Sequence, residues 1–365
     1  MIKVVIAPNA FKGSIDAFHL CRILSAEING IAESVASLPL GDGGDGTAAI
    51  LASYMNAIAV RVPACDALGR WKESFYYRSG NTAIVELAEI CGLKGIKPEE
   101  YDVLNAHTGG LGRVIDTAVG HGITHILLCV GGSASVDGGL GALEVMGLET
   151  RHSGNRYKNP VLDLLDISTD QLYRKFKNIQ FTILCDVENP LYGPQGAASI
   201  FAPQKGASPE QVGFLNHALE QLSQVLYRRT GISVAEIPHG GAAGGITASF
   251  FALLNARLLK GAEYCISLSP FDRLVTSSTV VITGEGKLDS QSLCGKIPGT
   301  LASLCRQKNA KIIAVTGSAE PGIKGFDRIF QLADYAPSLQ ESILHPDFYL
   351  KCLCRDLKKY LLEGI

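Results

Sequence analysis

A short apolar run, a glycine-rich polar loop and a segment with helical spacing follow one another several times along the chain. The first case is an apolar run at 4–6, a loop at 8–14 and a segment at 15–28, with Ser14 placed to cap the helix. Apolar strands that alternate with helices predict a parallel sheet covered on both faces. The order recurs at 35–40 with 41–46 and 47–55, at 126–130 with 131–139 and 140–146, and at 280–283 with 284–289 and a helix near Pro298, before a further strand at 311–316.

The pattern changes between residues 58 and 90. Short runs rich in β-branched and aromatic residues are separated there by turn dipeptides at Gly69 and Gly80, which predicts an antiparallel or mixed sheet. The polar stretch at 154–177 has weak periodicity and is interpreted as a connecting region. The three predicted strands of the mixed sheet are 59–63, 71–77 and 82–87.

Together these patterns predict an α/β protein with two α/β domains. We expect a doubly wound, three-layer parallel-sheet domain formed by residues 1–63 plus 266–365. A second, mixed-sheet α/β domain formed by residues 64–265 is inserted into it.

Composition narrows the class of protein. The chain has 365 residues, with 33 Lys and Arg against 35 Asp and Glu, so it lacks the basic excess of a nucleic-acid scaffold. The apolar fraction of 47% excludes intrinsic disorder. No long apolar stretch or signal peptide stands out, and the ten cysteines show no C-x-x-C pair, so we expect a cytoplasmic protein with reduced thiols and no membrane partner. The 40 glycines are the unusual feature, and their positions identify candidate sites.

Residues 41–46 (GDGGDG) match the G-x-G-x-x-G pattern between a predicted strand and helix. One interpretation is a dinucleotide fingerprint with Asp66 as the ribose ligand. Asp42 and Asp45 would repel a pyrophosphate, however, and two carboxylates on a flexible loop suit Mg²⁺. A turn whose aspartates cap the next helix is the alternative.

Lys12 and Ser14 follow the first strand, where a helix begins. A lysine beside a helix N-terminus can pair with a phosphate, and the free N–H groups add to the attraction. No Walker A motif occurs anywhere in the chain. A solvated surface lysine is the alternative interpretation for Lys12.

The loop at 131–139 combines small residues and hydroxyls with one carboxylate. Gly131 and Gly132 allow a ligand to approach the backbone, Ser133 can donate, and Asp137 could hold a metal or a substrate hydroxyl. This composition favours an anion-binding loop over a plain turn, because ordering so many small residues is costly.

Asp186 lies just after the predicted strand at 181–184. That position is where open α/β sheets bind ligands, so Asp186 is the candidate general base for a substrate hydroxyl, with Asn189 orienting it. An Asx turn before Pro190 is the alternative.

Three more segments complete the candidate set. Lys205 and Gly244 lie in small-residue segments that permit close approach, and Gly284, Glu285 and Lys287 follow a buried strand. Carboxylates, lysines and bare glycine backbone at strand ends fit phosphoryl transfer, in which positioning and charge neutralisation provide most of the catalysis.

Taken in order, these segments resemble the bacterial glycerate kinase family that includes the glycerate 2-kinases. The resemblance covers nearly the whole chain. Asn9 stands where the first motif has aspartate, so no metal role is assigned to it. The matching segments are APNAFKGS at 7–14, PLGDGGDGT at 39–47, GGSA at 131–134 with DGG at 137–139, CDV at 185–187 with NPL at 189–191, PQKGA at 203–207, GAAGG at 241–245, and TGEG at 283–286 with Asp289 and Gln291.

The resemblance implies ATP-dependent phosphorylation of D-glycerate with Mg²⁺, at the 2-hydroxyl rather than the 3-hydroxyl, in a cleft between two α/β domains. Lys12 would neutralise the transferring phosphate, Asp42 and Asp45 would hold Mg²⁺, and Asp186 would act on the glycerate hydroxyl. D-glycerate and a nucleotide are the expected partners of a monomer or homodimer. The alternatives are a binding or regulatory protein of the same fold without turnover and, less favoured, a nicotinamide-dependent oxidoreductase.

Overall fold

The computed structural model describes residues 2–154, 157–293 and 295–363. The strands of these ranges are β1 (Lys3–Ile6), β2 (Ser34–Ser37), β3 (Ile58–Cys65), β4 (Trp71–Ser79), β5 (Thr82–Glu86), β6 (His125–Cys129), β7 (Glu149–His152), β8 (Leu164–Ser168), β9 (Gln180–Leu184), β10 (Arg257–Leu259), β11 (Thr279–Thr283), β12 (Lys287–Leu288), β13 (Lys311–Thr316), β14 (Ser318–Ala319) and β15 (Arg328–Gln331).

The α-helices are α1 (Ala17–Ile28), α2 (Thr47–Tyr54), α3 (Leu87–Cys91), α4 (Gly109–Gly120), α5 (Leu140–Val145), α6 (Asp170–Phe176), α7 (Ala197–Phe201), α8 (Pro209–Thr230), α9 (Ile246–Leu254), α10 (Gly261–Leu268), α11 (Phe271–Leu274), α12 (Ile297–Gln307), α13 (Leu339–Leu344) and α14 (Pro346–Glu363). None of the described helices is both long enough and apolar enough to cross a membrane.

Two compact units divide the chain. The parallel-sheet unit comprises Met1–Asp42 and Lys260–Ile365, and the mixed-sheet unit comprises Gly43–Leu259. These limits differ from the predicted boundaries after residues 63 and 265. The reason is that β3 pairs with β4 along its whole length and α2 packs on β4 and β5, so residues 43–63 belong to the mixed sheet.

The parallel-sheet unit has the strand order β15-β13-β11-β1-β2, and all of its pairings are parallel. From the centre of this sheet the chain advances in opposite directions. β1 connects to β2 on one side, whereas β11 leads through β13 to β15 on the other. The loops that leave the carboxyl ends of β1 and β11 therefore diverge, which is the topological switch point where open α/β sheets bind ligands.

Both faces of this sheet are covered. Ile6, Ile282 and Ile313 share one buried cluster with Leu24 of α1 and Leu353 of α14. α12 contacts β11 and β13, but its buried residues are absent from that cluster, so it covers the opposite face. The predicted α/β fold with a helix-covered parallel sheet is confirmed.

The start of α1 differs from the prediction. Asp16, not Ser14, is the N-cap residue, and its side chain accepts a hydrogen bond from His19 N at 2.9 Å. Residues 11–15 instead form a tight turn, in which Phe11 N donates to Ile15 O at 2.8 Å. Ser14 is thereby left in a loop, where its hydroxyl can reach other segments.

The mixed-sheet unit has the strand order β10-β9-β6-β5-β4-β3. β5, β6, β9 and β10 run parallel, and the antiparallel hairpin of β3 and β4 completes the sheet, as predicted. The prediction of a connecting region at 154–177 was wrong in part. That stretch contains β8, which pairs antiparallel with β7, and α6, whose Leu172 and Phe176 are buried.

None of the cysteines of the described ranges forms a disulfide with another of them. Most of them are buried, and burial raises the pKa of thiols such as Cys21 and Cys185 to about 12. Cys294 lies outside the described residues.

Candidate active site

A pocket of about 340 Å³ lies in the parallel-sheet unit at the topological switch point. Its walls come from the loops after β1 and β11, with Asn9 and Lys12 on the first and Glu285 and Lys287 on the second. Asp42 and the α13 segment also line it. We refer to this volume as the switch-point pocket.

Glu285 is the most deeply placed acid of the switch-point pocket, with 6% of its surface exposed. Its Oε1 atom is buried and has no hydrogen-bond partner among the described residues. Burial raises the pKa of this carboxyl, and the charges of Asp42 and Asp289 raise it further, whereas a hydrogen bond from Ser292 and the charge of Lys296 lower it. A buried carboxylate with an unsatisfied oxygen beside other acids is an arrangement that a cation would stabilise.

Asp42 also lines the pocket, and Asn9 holds its carboxylate. Asn9 Nδ2 donates to Asp42 Oδ2 at 3.1 Å, which connects the loop after β1 to the glycine-rich loop at 41–46. The predicted metal residues Asp42 and Asp45 fall in different units. Within the described ranges, no group of three or more His, Cys, Asp or Glu side chains has the arrangement of a metal site.

Lysines face the same pocket. Lys12 is exposed on the tight turn after β1, and Lys296 is the N-cap residue of α12. Lys287 forms ion pairs with Glu320 at 3.0 Å and Asp289 at 3.5 Å. Lys296 was not among the predicted site residues, although a lysine directly before a helix start is the signal that identified Lys12.

Two further predicted residues, Ser14 and Gly284, carry no charge and hold segments around the pocket together. Ser14 Oγ donates to the Ile343 carbonyl at 2.8 Å, so this hydroxyl ties the first loop to α13. Gly284 O accepts from Asn9 N at 2.8 Å, and a Cβ on Gly284 would lie 1.8 Å from Val315 O. Only glycine at position 284 allows the end of β11 to lie this close to the β13 backbone at Val315.

The glycine-rich loops of the mixed-sheet unit pack backbone against backbone. Gly131 N donates to Gly43 O at 2.9 Å, and a Cβ on Gly131 would lie 2.5 Å from Gly44 Cα. Asp45 Oδ1 lies beside Gly132, 2.9 Å from where a Cβ would be. The structure thus places Asp45, Gly131 and Gly132 together.

Glu86 fixes this arrangement, and the sequence prediction missed it. Its carboxylate accepts from Gly46 N and Ala48 N, each at 2.8 Å, at the start of α2. Burial raises the pKa of Glu86 to about 7, and the charge of Asp45 adds to this, while the two N–H donors oppose it. An acid at the carboxyl end of a buried strand, the signal that identified Asp186, would also have identified Glu86.

Asp137 is fully buried, and both of its oxygens are used by the protein. Oδ2 accepts from Thr108 N and Oγ1, both at 2.7 Å, and from Gly141 N at 3.3 Å. Oδ1 accepts from Ser135 Oγ at 3.0 Å and Gly139 N at 3.2 Å. This geometry makes Asp137 the anchor of its loop and gives no support to the ligand role predicted for it.

Lys205 lies below the same loop, with 2% of its surface exposed. Its Nζ donates to Ser133 Oγ at 2.8 Å and to the Ser135 carbonyl at 2.6 Å. Burial lowers the pKa of Lys205 to about 7, and the charge of Asp137 partly opposes the shift. Lys205 and Ser133 are therefore brought together as one buried polar group.

Asp186 follows β9 at its carboxyl end. Asn189 Nδ2 donates to the Gln195 carbonyl at 2.9 Å, which ties the loop after β9 to the segment before α7. The role of Asn189 toward Asp186 stays a prediction. His239 Nδ1 lies 2.7 Å from the carbonyl of Val187, the residue that follows Asp186 in the chain. The backbone of His239 has a φ of 70°. Gly244 also has positive φ, and a Cβ there would lie 2.4 Å from Ser135 O.

The glycerate kinase family matches this chain over residues 4–362. The chain belongs to the glycerate kinase family. It is 31% identical to a glycerate kinase from Halalkalibacterium halodurans, over 98% of this chain and 97% of that protein. It is also 31% identical to the glycerate 2-kinase from Escherichia coli K12, over 93% of each chain.

The fold of this glycerate kinase family member is shared with a solved structure. A crystal structure of a protein assigned as glycerate kinase 2, from Salmonella typhimurium LT2, aligns with a TM-score of 0.80 and 30% identity, over 100% of this chain and 99% of that one. The family predicted from the ordered motifs is confirmed.

Asp66, the ribose ligand of the dinucleotide alternative, instead accepts from Arg70 Nε at 2.6 Å and from the turn amide of Leu68.

Proposed function

We propose that this protein is a glycerate kinase that transfers a phosphoryl group from ATP to the 2-hydroxyl of D-glycerate. The observation that carries the proposal is the family match over residues 4–362. The similarity to a glycerate 2-kinase over 93% of each chain supports the 2-hydroxyl as the acceptor. The switch-point pocket supplies the acids and lysines that phosphoryl transfer requires.

The acids of the pocket fit Mg²⁺. Glu285 has a buried oxygen without a partner among the described residues, and Asp42 lines the same pocket with one oxygen oriented by Asn9. Carboxylate oxygens are the ligands that Mg²⁺ prefers. We assign Glu285 and Asp42 as its holders, while the role of Asp45 stays a prediction. When bound, the ion would offset the negative charge of the donor phosphates.

Lys12 and Lys296 are assigned to the phosphates. Both line the pocket, and Lys12 lies on an exposed turn from which a flexible ammonium group can follow a moving phosphoryl group. Lys287 is held by Glu320 and Asp289, so it contributes charge from a fixed position. These cations stabilise the charge that develops on the transferring group.

The glycerate hydroxyl is assigned to Asp186 in the mixed-sheet unit. An ionised carboxylate there would accept the hydroxyl proton as the glycerate oxygen attacks the γ-phosphorus of ATP and the bond from that phosphorus to the bridging oxygen breaks, releasing ADP. The proton remains on Asp186 until solvent removes it. The backbone of the loop at 131–139, held by Lys205 and Asp137, is the candidate partner for the glycerate carboxylate.

Activity with defined acceptors tests the proposal. The protein is incubated with ATP, Mg²⁺ and either D-glycerate or L-glycerate, and ADP release is followed. ADP formation that requires D-glycerate supports the kinase. Tight binding of D-glycerate and ATP without ADP formation would instead support the binding protein without turnover, and absence of both binding and turnover would contradict the proposal.

A further inference from the structure

The switch-point pocket is lined by chemically unlike groups. Besides the acids and lysines already described, Leu332 and, on α13, Leu339 and Ile343 line it, and we call these three residues the apolar wall. Its position is fixed relative to the phosphate-binding loop, because Ser14 Oγ donates to the Ile343 carbonyl at 2.8 Å.

The apolar wall presents hydrophobic surface that its own unit leaves open. Leu339 is 50% exposed and Ile343 43% exposed, whereas Leu332 behind them is buried. Such side chains at the edge of a polar pocket gain free energy when a flat apolar group covers them. A ligand for this pocket therefore needs both an apolar face and anionic groups.

We propose that the apolar wall binds the base of the nucleotide, so that the parallel-sheet unit is the nucleotide-binding unit. The proposal rests on the proposed function. Every carbon of glycerate bears oxygen, so this acid has no apolar face to set against Leu339 and Ile343. A purine has such a face, and the polyphosphate of the nucleotide matches the lysines and acids that line the same pocket.

The size and place of the pocket agree with this assignment. Its volume of about 340 Å³ lies within the range of pockets for ligands much larger than a three-carbon acid, about 300–1,000 Å³. It also lies at the carboxyl ends of β1 and β11, where doubly wound sheets bind nucleotides. The small polar acceptor is then left to the loops of the mixed-sheet unit.

Two neighbouring residues of one helix give a matched test. Ile343 lines the pocket, whereas Leu344 is 61% exposed and does not line it. Ile343→Asn and Leu344→Asn each place the same polar side chain on α13, so Leu344→Asn controls for the general effect of such a change on the helix. Binding of ADP, of inorganic tripolyphosphate and of D-glycerate to the full chain is measured by calorimetry with Mg²⁺ present.

The expected result is selective for the base. Ile343→Asn weakens ADP binding about tenfold, which is the effect of losing one well-covered aliphatic side chain, and leaves tripolyphosphate and D-glycerate unchanged. Leu344→Asn changes none of the three. If Ile343→Asn fails to fold, Leu339→Asn provides the same readout.

Three outcomes would overturn the assignment. In the first, Ile343→Asn and Leu344→Asn lose equal affinity for ADP. In the second, Ile343→Asn loses as much affinity for tripolyphosphate as for ADP. In the third, Ile343→Asn loses affinity for D-glycerate alone, which would put the acid in this pocket. Because binding is measured without turnover, these outcomes are independent of whether D-glycerate is phosphorylated. A protein that binds ADP through the apolar wall but shows no kinase activity would refute the proposed function alone.

Discussion

The side-chain amide of Asn9 donates to Asp42 Oδ2 at 3.1 Å, at the mouth of the pocket that also contains Glu285. The amide orients the Asp42 carboxylate without adding negative charge. The family resemblance of the first motif leads us to expect aspartate at position 9, and this chain has a neutral donor there instead. Asp42 and Glu285 are the two acids proposed to hold the cation, and Asp289 also lines the pocket.

Asn9→Asp should make the protein more dependent on Mg²⁺. The substitution replaces a donor with a carboxylate next to Asp42 and Glu285, and three acids repel one another unless a cation is bound. We expect a lower unfolding temperature without Mg²⁺ and a larger increase on its addition than in the wild type. Thermal unfolding across a Mg²⁺ titration measures this. An unchanged Mg²⁺ response would contradict the assignment of Asp42 and Glu285 as its ligands.

Asp186→Asn should lower kcat by about 10²–10⁴-fold, the usual contribution of a general base, and leave ADP binding unchanged. The change keeps the shape of the side chain but removes its capacity to take a proton. Glu188→Gln, which neutralises an exposed acid two residues further on, is the matched control and should retain kcat. Full turnover by Asp186→Asn would refute the base assignment.

Lys205 should give the wild type a stability that rises with pH. Its pKa in the folded protein is about 7, against an ordinary value of 10.5, so between these values the unfolded chain binds the proton and the folded chain does not. The free energy of unfolding of the wild type, minus that of Lys205→Met, should increase by about 2–3 kcal/mol between pH 7 and 9. Urea unfolding at both pH values measures it, with Lys177→Met at an exposed position as control. A pH-independent difference between wild type and Lys205→Met would show that the buried amine keeps its proton.

Gly131→Ala should destabilise the mixed-sheet unit. A Cβ would lie 2.5 Å from Gly44 Cα and 3.1 Å from Gly43 O, and backbone on both sides leaves little room to relax, at a cost of about 1–3 kcal/mol. Gly213→Ala is the control in the same unit. No atom beyond its chain neighbours and the backbone of its own helix turn lies within 4 Å of its Cβ position in α8, so the substitution should stabilise by about 0.5–1 kcal/mol. Equal unfolding temperatures for the two variants would contradict the close packing of the loops.

The strands and helices that depend on a short stretch of sequence are the features that could be predicted. The strand at 311–316 is β13 with the same limits, because a continuous apolar run between polar loops is a strong signal for a buried parallel strand. The helix near Pro298 is α12, with proline in its first turn. Asp42, Glu285 and Lys12 were chosen because they follow strands, and the parallel sheet brings them to one edge.

Partners from distant segments could not be predicted in this way. Glu86 binds the amides of Gly46 and Ala48 because β5 ends beside the start of α2, a fact of packing that neither segment encodes alone. The five donors to Asp137 and the burial of Lys205 likewise depend on loops that meet only in the folded unit. The first limit of the mixed-sheet unit differs from the predicted one for the same reason, since β3 pairs with β4.

Phosphorus NMR of the reaction product tests the central claim most directly. The protein is incubated with D-glycerate, ATP and Mg²⁺, and the new phosphate ester is identified by its coupling to the protons of the carbon that carries it. We predict one new ester, 2-phosphoglycerate, coupled to a single methine proton, together with ADP. A product coupled to two methylene protons would be 3-phosphoglycerate and would contradict the proposed acceptor, and no ester at all would contradict the proposed kinase.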